Sequence, residues 1–262
     1  MKLLNLSDRN FLKSYSFRYY DASFLTLLYR LAMIKNFKTS LLTMLPLIGL
    51  FGLLNQVSIA QMKPDKLGEL DWWRSKVKAQ AQSSQRRRFH GCLFGDSISS
   101  GLGNPLGKET ANFAMGGLST VSLLEQLKTL KAANVQCQNV MIAIGTNDAW
   151  YSIRNDEFVS NLERIILLTR SMGASQITVV PAFYSTVEAS RNPNVAGTVE
   201  RVEEINALIR EVADVENVGL VTDEIDPLFD DRSLRQDLTF DGVHLNEKGQ
   251  KIYKRIVLAI LN

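Results

Sequence analysis

A serine directly after a short apolar run is the residue of this chain best placed to act as a nucleophile. Ser97 follows the run at 89–94, where a strand would end and a loop begin. A serine becomes nucleophilic when a neighbouring base takes its proton, and that base is most often histidine. The chain has two histidines: His90, interpreted as a structural strand residue, and His244. Asp241 lies three residues before His244 and could orient its ring.

Hydrolysis of an ester by serine also requires hydrogen-bond donors for the negative charge that develops on the carbonyl oxygen. Three groups are candidates: the backbone N–H of Ser97, the backbone N–H of a glycine in Gly116-Gly117, and the side-chain amide of Asn147. The neighbouring aspartates Asp96 and Asp148 are interpreted as residues that fix turns. The sequence therefore contains a candidate for every part of a serine-hydrolase site.

Short apolar runs alternate with longer amphipathic segments from residue 89 onward. The runs predict strands at 89–94, 111–115, 140–144, 177–181 and 218–221. The amphipathic segments predict helices at 121–132, 157–172, 199–212 and 247–261. Such alternation is typical of a parallel sheet covered on both faces, which is a three-layer α/β domain. The polar clusters follow the first, second, third and fifth strands, where functional residues of such sheets gather.

These clusters, in this order, resemble the sequence blocks of the SGNH (GDSL) hydrolase superfamily over residues 89–262. The resemblance implies a flavodoxin-like α/β/α sandwich with a central parallel sheet of about five strands. It also implies a serine esterase that works through an acyl-enzyme, without a cofactor or a metal. The residues at the family's functional positions are the nucleophile Ser97, the base His244, the acid Asp241 and the oxyanion-hole residues Ser97, Gly117 and Asn147.

Within this resemblance, Gly117 is chosen over Gly116 because the family's glycine usually lies five residues after an asparagine, here Asn112. The sequence departs from the family pattern at two places near the serine. Ile98 replaces the usual leucine, and residues 99–101 are Ser-Ser-Gly where Thr-x-Gly is common. Neither departure changes a catalytic atom.

The net charge of +3 is unevenly distributed along the chain. Residues 1–60 contain seven Lys and Arg against two Asp and Glu, whereas residues 61–262 contain 23 against 25. The larger part is therefore close to neutral, which argues against a nucleic-acid partner.

The N-terminal extension 1–60 has an apolar core at 41–54, which predicts a signal peptide or a membrane anchor. At about 14 residues this core is shorter than the roughly 20 that a membrane span needs. Small residues would permit cleavage after Ala60, and translation could start at Met1 or at Met33. A buried core helix is the remaining alternative. We expect the protein to be exported, or anchored to a membrane through this segment.

Residues 61–88 are polar and basic and predict a linker, with some helical character around 70–77, ahead of the hydrolase domain 89–262. The chain has two cysteines, Cys92 and Cys137, which could form a disulfide in an exported protein. Because both lie in or beside predicted strands, we expect buried free thiols instead.

Substrate specificity would come from the loops that follow the strands. Four aromatic residues in these loops could line an acyl or sugar pocket, or could pack in the core: Trp150, Tyr151, Phe183 and Tyr184. We expect an ester of an envelope lipid or an O-acetylated glycan as substrate, no nucleic acid, and membrane association through residues 41–60. The oligomeric state stays open. The alternative function is a non-catalytic SGNH-like module that binds glycans or supports an acetylation system.

Overall fold

The structure is a computed structural model that describes residues 64–104 and 106–262. The predicted extension 1–60, its apolar core at 41–54 and the alternative start and cleavage positions lie outside the described residues. Those predictions therefore stay predictions. Among the residues described, no helix is both long and apolar enough to cross a membrane.

A five-stranded parallel sheet lies at the centre of the domain, with the strand order β2-β1-β3-β4-β5. The strands are β1 (Arg88–Gly95), β2 (Thr110–Asn112), β3 (Gln136–Ala143), β4 (Gln176–Val180) and β5 (Gly219–Leu220). The prediction of about five parallel strands is confirmed. The largest difference in extent is at β3, which begins four residues before the predicted run. Its first residues alternate between exposed and buried positions, so they do not form a continuous apolar run in the sequence.

Helices cover both faces of this sheet. They are α1 (Asp71–Ser83), α2 (Ser97–Ser100), α3 (Thr120–Ala132), α4 (Thr146–Tyr151), α5 (Asn155–Ser171), α6 (Val187–Ser190), α7 (Val199–Val215) and α8 (Glu247–Leu261). Cys92 and Phe94 of β1 pack with buried residues of α1, α3, α5 and α7. Leu93 points the other way and packs with α8. This alternation along one strand produces the predicted three layers.

The segment between β5 and α8 is more structured than the sequence predicts. It contains a 3₁₀ turn at Asp223–Leu228, an antiparallel pair of two-residue strands, β6 (Phe229–Asp230) and β7 (Ser233–Leu234), and a second 3₁₀ turn at Gln236–Leu238. Strands of two residues carry no detectable periodicity. The loop of Asp241 and His244 therefore follows this hairpin instead of following the fifth strand directly.

The predicted linker 61–88 is wrong for the part that the structure describes. Helix α1 lies within it, and the side chains of Trp73, Val77 and Ala81 are buried in the core formed by the sheet and α3. These residues are four apart and so form one stripe along the helix. The stripe is narrow and lies among charged and polar residues, which gave the segment the composition of a spacer.

The expectation of free thiols is also wrong, because Cys92 and Cys137 form a disulfide. Cys92 is in β1 and Cys137 is in β3, with their Cα atoms 5.8 Å apart. β1 and β3 are adjacent strands, and the register pairs Cys92 with Val140, which lies three residues after Cys137. The sequence alone did not reveal that these two strands are neighbours.

Removing this disulfide is expected to lower the free energy of unfolding by about 2–4 kcal/mol, because the bond closes a long loop in the unfolded chain. The two cysteines are 45 residues apart. Urea unfolding, with and without reductant, measures the effect on the wild type and on the double variant Cys92→Ala/Cys137→Ala. The wild type should weaken on reduction to near the level of the variant, and the variant should not respond. A wild-type midpoint that is indifferent to reductant would contradict the disulfide.

Candidate active site

After β1 the chain continues to β2 on one side of the sheet, and after β3 it continues to β4 on the other side. Ser97 follows β1 at this change of direction, which is the usual position of sites in open α/β sheets. β1 ends at Gly95, where a Cβ atom would lie 2.6 Å from the hydroxyl oxygen of Ser99. Only glycine fits there. Asp96 then caps the short helix α2 by accepting a hydrogen bond from the Ile98 N–H at 2.9 Å. This turn places Ser97 at the first position of α2.

Three predicted residues meet through hydrogen bonds. His244 Nε2 lies 2.9 Å from Ser97 Oγ, and His244 Nδ1 lies 2.6 Å from Asp241 Oδ2. The other carboxylate oxygen, Asp241 Oδ1, accepts the backbone N–H groups of Val243 at 2.9 Å and His244 at 2.7 Å. Because both carboxylate oxygens are used, the carboxylate is fixed relative to the imidazole.

The pKa of Asp241 reflects two opposing effects. Partial burial raises this pKa, but the hydrogen bonds from His244 and Val243 outweigh it and hold the pKa below its usual value. Asp241 is therefore ionised at neutral pH, as an acid that orients a histidine must be.

Two residues that the sequence did not single out hold His244. Thr239 donates its hydroxyl hydrogen to the backbone carbonyl oxygen of His244 at 2.6 Å. The Phe240 ring stacks on the imidazole, with 5.9 Å between ring centroids and 13° between planes. An alignment of rings in space leaves no trace in the sequence, so no signal could have found this contact.

The glycine and asparagine blocks lie together after β2 and β3. Gly117 has a φ of +77°, in the region that favours glycine. Tyr151 donates its hydroxyl hydrogen to the carbonyl oxygen of Gly117 at 3.3 Å, and the Asn147 amide donates to the carbonyl oxygen of Leu118 at 3.0 Å. Neither the Gly117 nor the Ser97 N–H bonds another group among the described residues. Both are therefore available to a ligand.

Asp148 ties these two blocks together. Its carboxylate accepts the Thr120 N–H at 3.1 Å and the Thr120 hydroxyl at 2.5 Å. Full burial raises the pKa of Asp148 to about 7, against these bonds. Asp148 lies in the first turn of α4, whose N-cap is Gly145. Asp148 bridges α4 to the start of α3.

A second buried aspartate lies under the serine. Full burial raises the pKa of Asp96 to about 6, against hydrogen bonds from the Ile98 and Ser99 backbone and the nearby His244. Beside it, the hydroxyl groups of Ser99 and Tyr253 lie 3.0 Å apart in the core. Asp96 and Ser99 thus fix the turn that carries Ser97, which agrees with the interpretation of Asp96 as a turn residue.

Residues from the supposed linker also reach this region. Asp65 accepts a hydrogen bond from the Ser119 hydroxyl at 2.5 Å, just before α3 begins. The Leu67 side chain packs against Gly117, where an added Cβ would lie 3.3 Å from it. Nothing in the local sequence pattern indicates either contact, since the partners are about 50 residues away.

All four aromatic residues proposed for a pocket have contacts within the protein. Phe183 is buried against Phe229 and Tyr253, and Tyr184 donates its hydroxyl hydrogen to Glu203. Tyr151 holds the Gly117 carbonyl, as described above. Trp150 donates its indole N–H to the Pro193 carbonyl at 3.0 Å. His90 lies in β1 at its amino-terminal end, far along the strand from Ser97.

The arrangement has the parts needed for acyl transfer: a hydroxyl, an imidazole within hydrogen-bond reach of it, a carboxylate on the other ring nitrogen, and unpaired N–H groups nearby. A family model, the GDSL-like Lipase/Acylhydrolase family, matches residues 93–252. The chain belongs to this family. It is accordingly a carboxylic ester hydrolase. None of the curated proteins compared with the chain matches it.

Solved structures share the fold at low sequence identity. A protein from Streptococcus pneumonia, provisionally described as a platelet activating factor, has a TM-score of 0.60 and 22% identity over 72% of this chain and 92% of its own. A GDSL-like lipase from Bacteroides thetaiotaomicron has a TM-score of 0.58 and 16% identity over 75% and 98%. A catalytic mutant of an acetylxylan esterase from Geobacillus stearothermophilus has a TM-score of 0.51 and 18% identity over 66% and 93%. At these identities the likeness concerns the fold.

Proposed function

We propose that the protein hydrolyses carboxylic esters through a covalent acyl-enzyme on Ser97. The observation that carries the proposal is the continuous hydrogen-bonded chain from Asp241 through His244 to the Ser97 hydroxyl, with distances of 2.6 Å and 2.9 Å. With the carboxylate accepting from Nδ1–H, the imidazole presents an unprotonated Nε2 to the serine. The serine proton then has an acceptor at the moment of attack.

In the acylation step, Ser97 Oγ attacks the ester carbonyl carbon while His244 Nε2 takes the hydroxyl proton. The carbonyl oxygen becomes negatively charged. His244 then returns the proton to the alkoxy oxygen of the substrate, the C–O bond breaks, and the alcohol leaves. Water attacks the acyl-enzyme in the same way, so that the acid is released and Ser97 is restored.

The donors for the charged oxygen are the N–H groups of Ser97 and Gly117 and the side-chain amide of Asn147. The contacts of Tyr151 with the Gly117 carbonyl and of Asn147 with the Leu118 carbonyl support this assignment, because they hold the two peptides that directly follow the Gly117 N–H. Donors fixed before the reaction stabilise the transition state without reorganisation, and each is worth about 10² to 10³ in rate.

We further propose that the enzyme acts outside the cytoplasm, on esters of envelope lipids or O-acetylated glycans. The disulfide between Cys92 and Cys137 supports export, since such bonds persist in oxidising compartments. The apolar core at 41–54 would then direct export or anchor the chain.

A chain-length panel of p-nitrophenyl esters, combined with a fluorophosphonate that traps nucleophilic serines, tests this function. The full chain should hydrolyse at least one ester and should gain one phosphonate adduct, which peptide mass spectrometry should assign to Ser97. An adduct on another serine would refute the nucleophile assignment. Absence of both turnover and adduct would refute the enzyme mechanism.

A further inference from the structure

A cleft of about 360 Å³ opens beside the catalytic loop, between α6 and the segment that carries Asp241. The residues used below are Thr186, Glu188, Asn192, Gln236, Phe240 and Asp241. The back of the cleft is closed by a hydrogen bond from the Thr186 N–H to the Gly242 carbonyl at 2.8 Å. The cleft therefore has a defined wall and opens to solvent next to the catalytic acid.

Phe240 gives this cleft an unusual surface. Its side chain is 70% exposed although it stacks on the ring of His244. A large aromatic ring that stays in water next to a catalytic base is poorly explained by packing. It is well explained as a platform for a ligand.

The positions that the reaction requires for the two ester oxygens determine which part of the substrate lies on the cleft side of Ser97. The carbonyl oxygen must lie near the donors of Gly117 and Asn147, and the alcohol oxygen must lie near His244 Nε2, which protonates it. Besides Ser97, the imidazole contacts Phe240 through its ring face and Asp241 through Nδ1, and both of these residues line the cleft. The alcohol part of the substrate thus projects toward the cleft, while the acyl carbonyl faces the other way.

The chemistry of the lining indicates what kind of alcohol fits. Glu188 and Asp241 supply carboxylates, Asn192 and Gln236 supply amides, and the lining contains no lysine or arginine. The side chains of Glu188 and Gln236 have no hydrogen-bond partner in the part of the chain that the structure describes. Carboxylates without cations disfavour a phosphate group. Amide and carboxylate groups beside an exposed aromatic ring suit a neutral polyhydroxyl ring, which has polar edges and apolar C–H faces.

We propose that this cleft is the subsite for the alcohol part of the substrate, and that this part is a saccharide whose ring stacks on Phe240. The proposal rests on the ester hydrolysis proposed above. It selects O-acylated glycans over phospholipids, because a phospholipid would bring its phosphate to a cleft that holds two carboxylates.

Two acetate esters with the same acyl group and different alcohols separate this subsite from the catalytic machinery. The full-length wild type and Phe240→Ala are compared on glucose pentaacetate and on ethyl acetate. Loss of the stacking platform should lower kcat/KM for the sugar ester about tenfold or more beyond its effect on ethyl acetate, whose loss measures the contact of Phe240 with His244 alone. Gln236→Ala should show the same selectivity with a smaller effect. Leu167→Ala, which removes a 64% exposed side chain on α5 far from the cleft, should change neither.

An equal loss on both esters in Phe240→Ala would mean that Phe240 acts only on His244, and would overturn the subsite. A wild type with equal kcat/KM for ethyl acetate and for the sugar ester would overturn it too, while leaving the proposed ester hydrolysis intact.

Binding tests the subsite without turnover. Calorimetric titration with tetrasaccharides of glucose, xylose and N-acetylglucosamine should detect binding to the wild type for at least one, with a loss in Phe240→Ala. No binding of any of the three would also overturn the proposal.

Discussion

Replacing Ser97 with alanine is expected to lower kcat on the best ester substrate by about 10⁴- to 10⁶-fold. The variant removes the one oxygen that lies within 2.9 Å of His244 Nε2, so no acyl-enzyme can form. The donors proposed for the oxyanion hole remain, and they can support only slow attack by water. Single-turnover and steady-state rates measure the loss, and the phosphonate adduct should disappear in parallel.

Ser100→Ala is the matched control for this prediction. Ser100 is in the same four-residue helix, and its hydroxyl donates to the backbone carbonyl of Ser97 at 3.0 Å, without contacting His244. We expect its rate to stay within about tenfold of the wild type, because one half-buried neutral hydrogen bond contributes only about 1 kcal/mol. Thermal unfolding should show that both variants are folded. A Ser97→Ala variant that keeps a tenth of the wild-type rate would contradict the nucleophile assignment.

The fold and the meeting of the four clusters could be predicted because their signals are local. The longer strands are apolar runs, each helix has an apolar face, and three of the four polar clusters follow a strand of the sheet within five residues. In a parallel sheet the carboxyl ends of all strands lie at one edge, so residues that follow different strands approach one another. Ser97 and Asn147, which follow the adjacent strands β1 and β3, are the clearest case.

The features that could not be predicted depend on which distant segments become neighbours. The disulfide requires β1 to lie beside β3, and the linker prediction failed because Trp73 is buried by residues of α3 that follow it by about 50 positions. The same reason applies to Asp65, whose hydroxyl partner Ser119 is 54 residues away. The composition shows which segments are charged and polar. It does not show which face of such a segment packs against which distant segment of the chain.

Asp241→Asn is expected to lower kcat/KM by about 10³- to 10⁴-fold while the protein stays folded. The asparagine carbonyl would keep the place of Asp241 Oδ1, where two backbone N–H groups from Val243 and His244 converge. That orientation turns the NH₂ group toward His244 Nδ1. Nδ1 must then accept a hydrogen bond, the ring proton moves to Nε2, and Nε2 can no longer take the proton of Ser97.

The expected loss of kcat/KM is thus due to the tautomer of His244. A second variant distinguishes this effect from the loss of the negative charge of Asp241. Asp241→Ala removes the carboxylate without imposing a donor on Nδ1, so the imidazole can still present an unprotonated Nε2 part of the time. If the tautomer dominates, Asp241→Ala should be at least as active as Asp241→Asn, although it also loses both backbone hydrogen bonds. Asp237→Asn is the control, since this exposed aspartate pairs with Arg235 outside the site and should leave the rate unchanged. Wild-type rates in Asp241→Asn would show that the orienting acid is another residue, and nitrogen-15 NMR of His244 in the three proteins would report the tautomer directly.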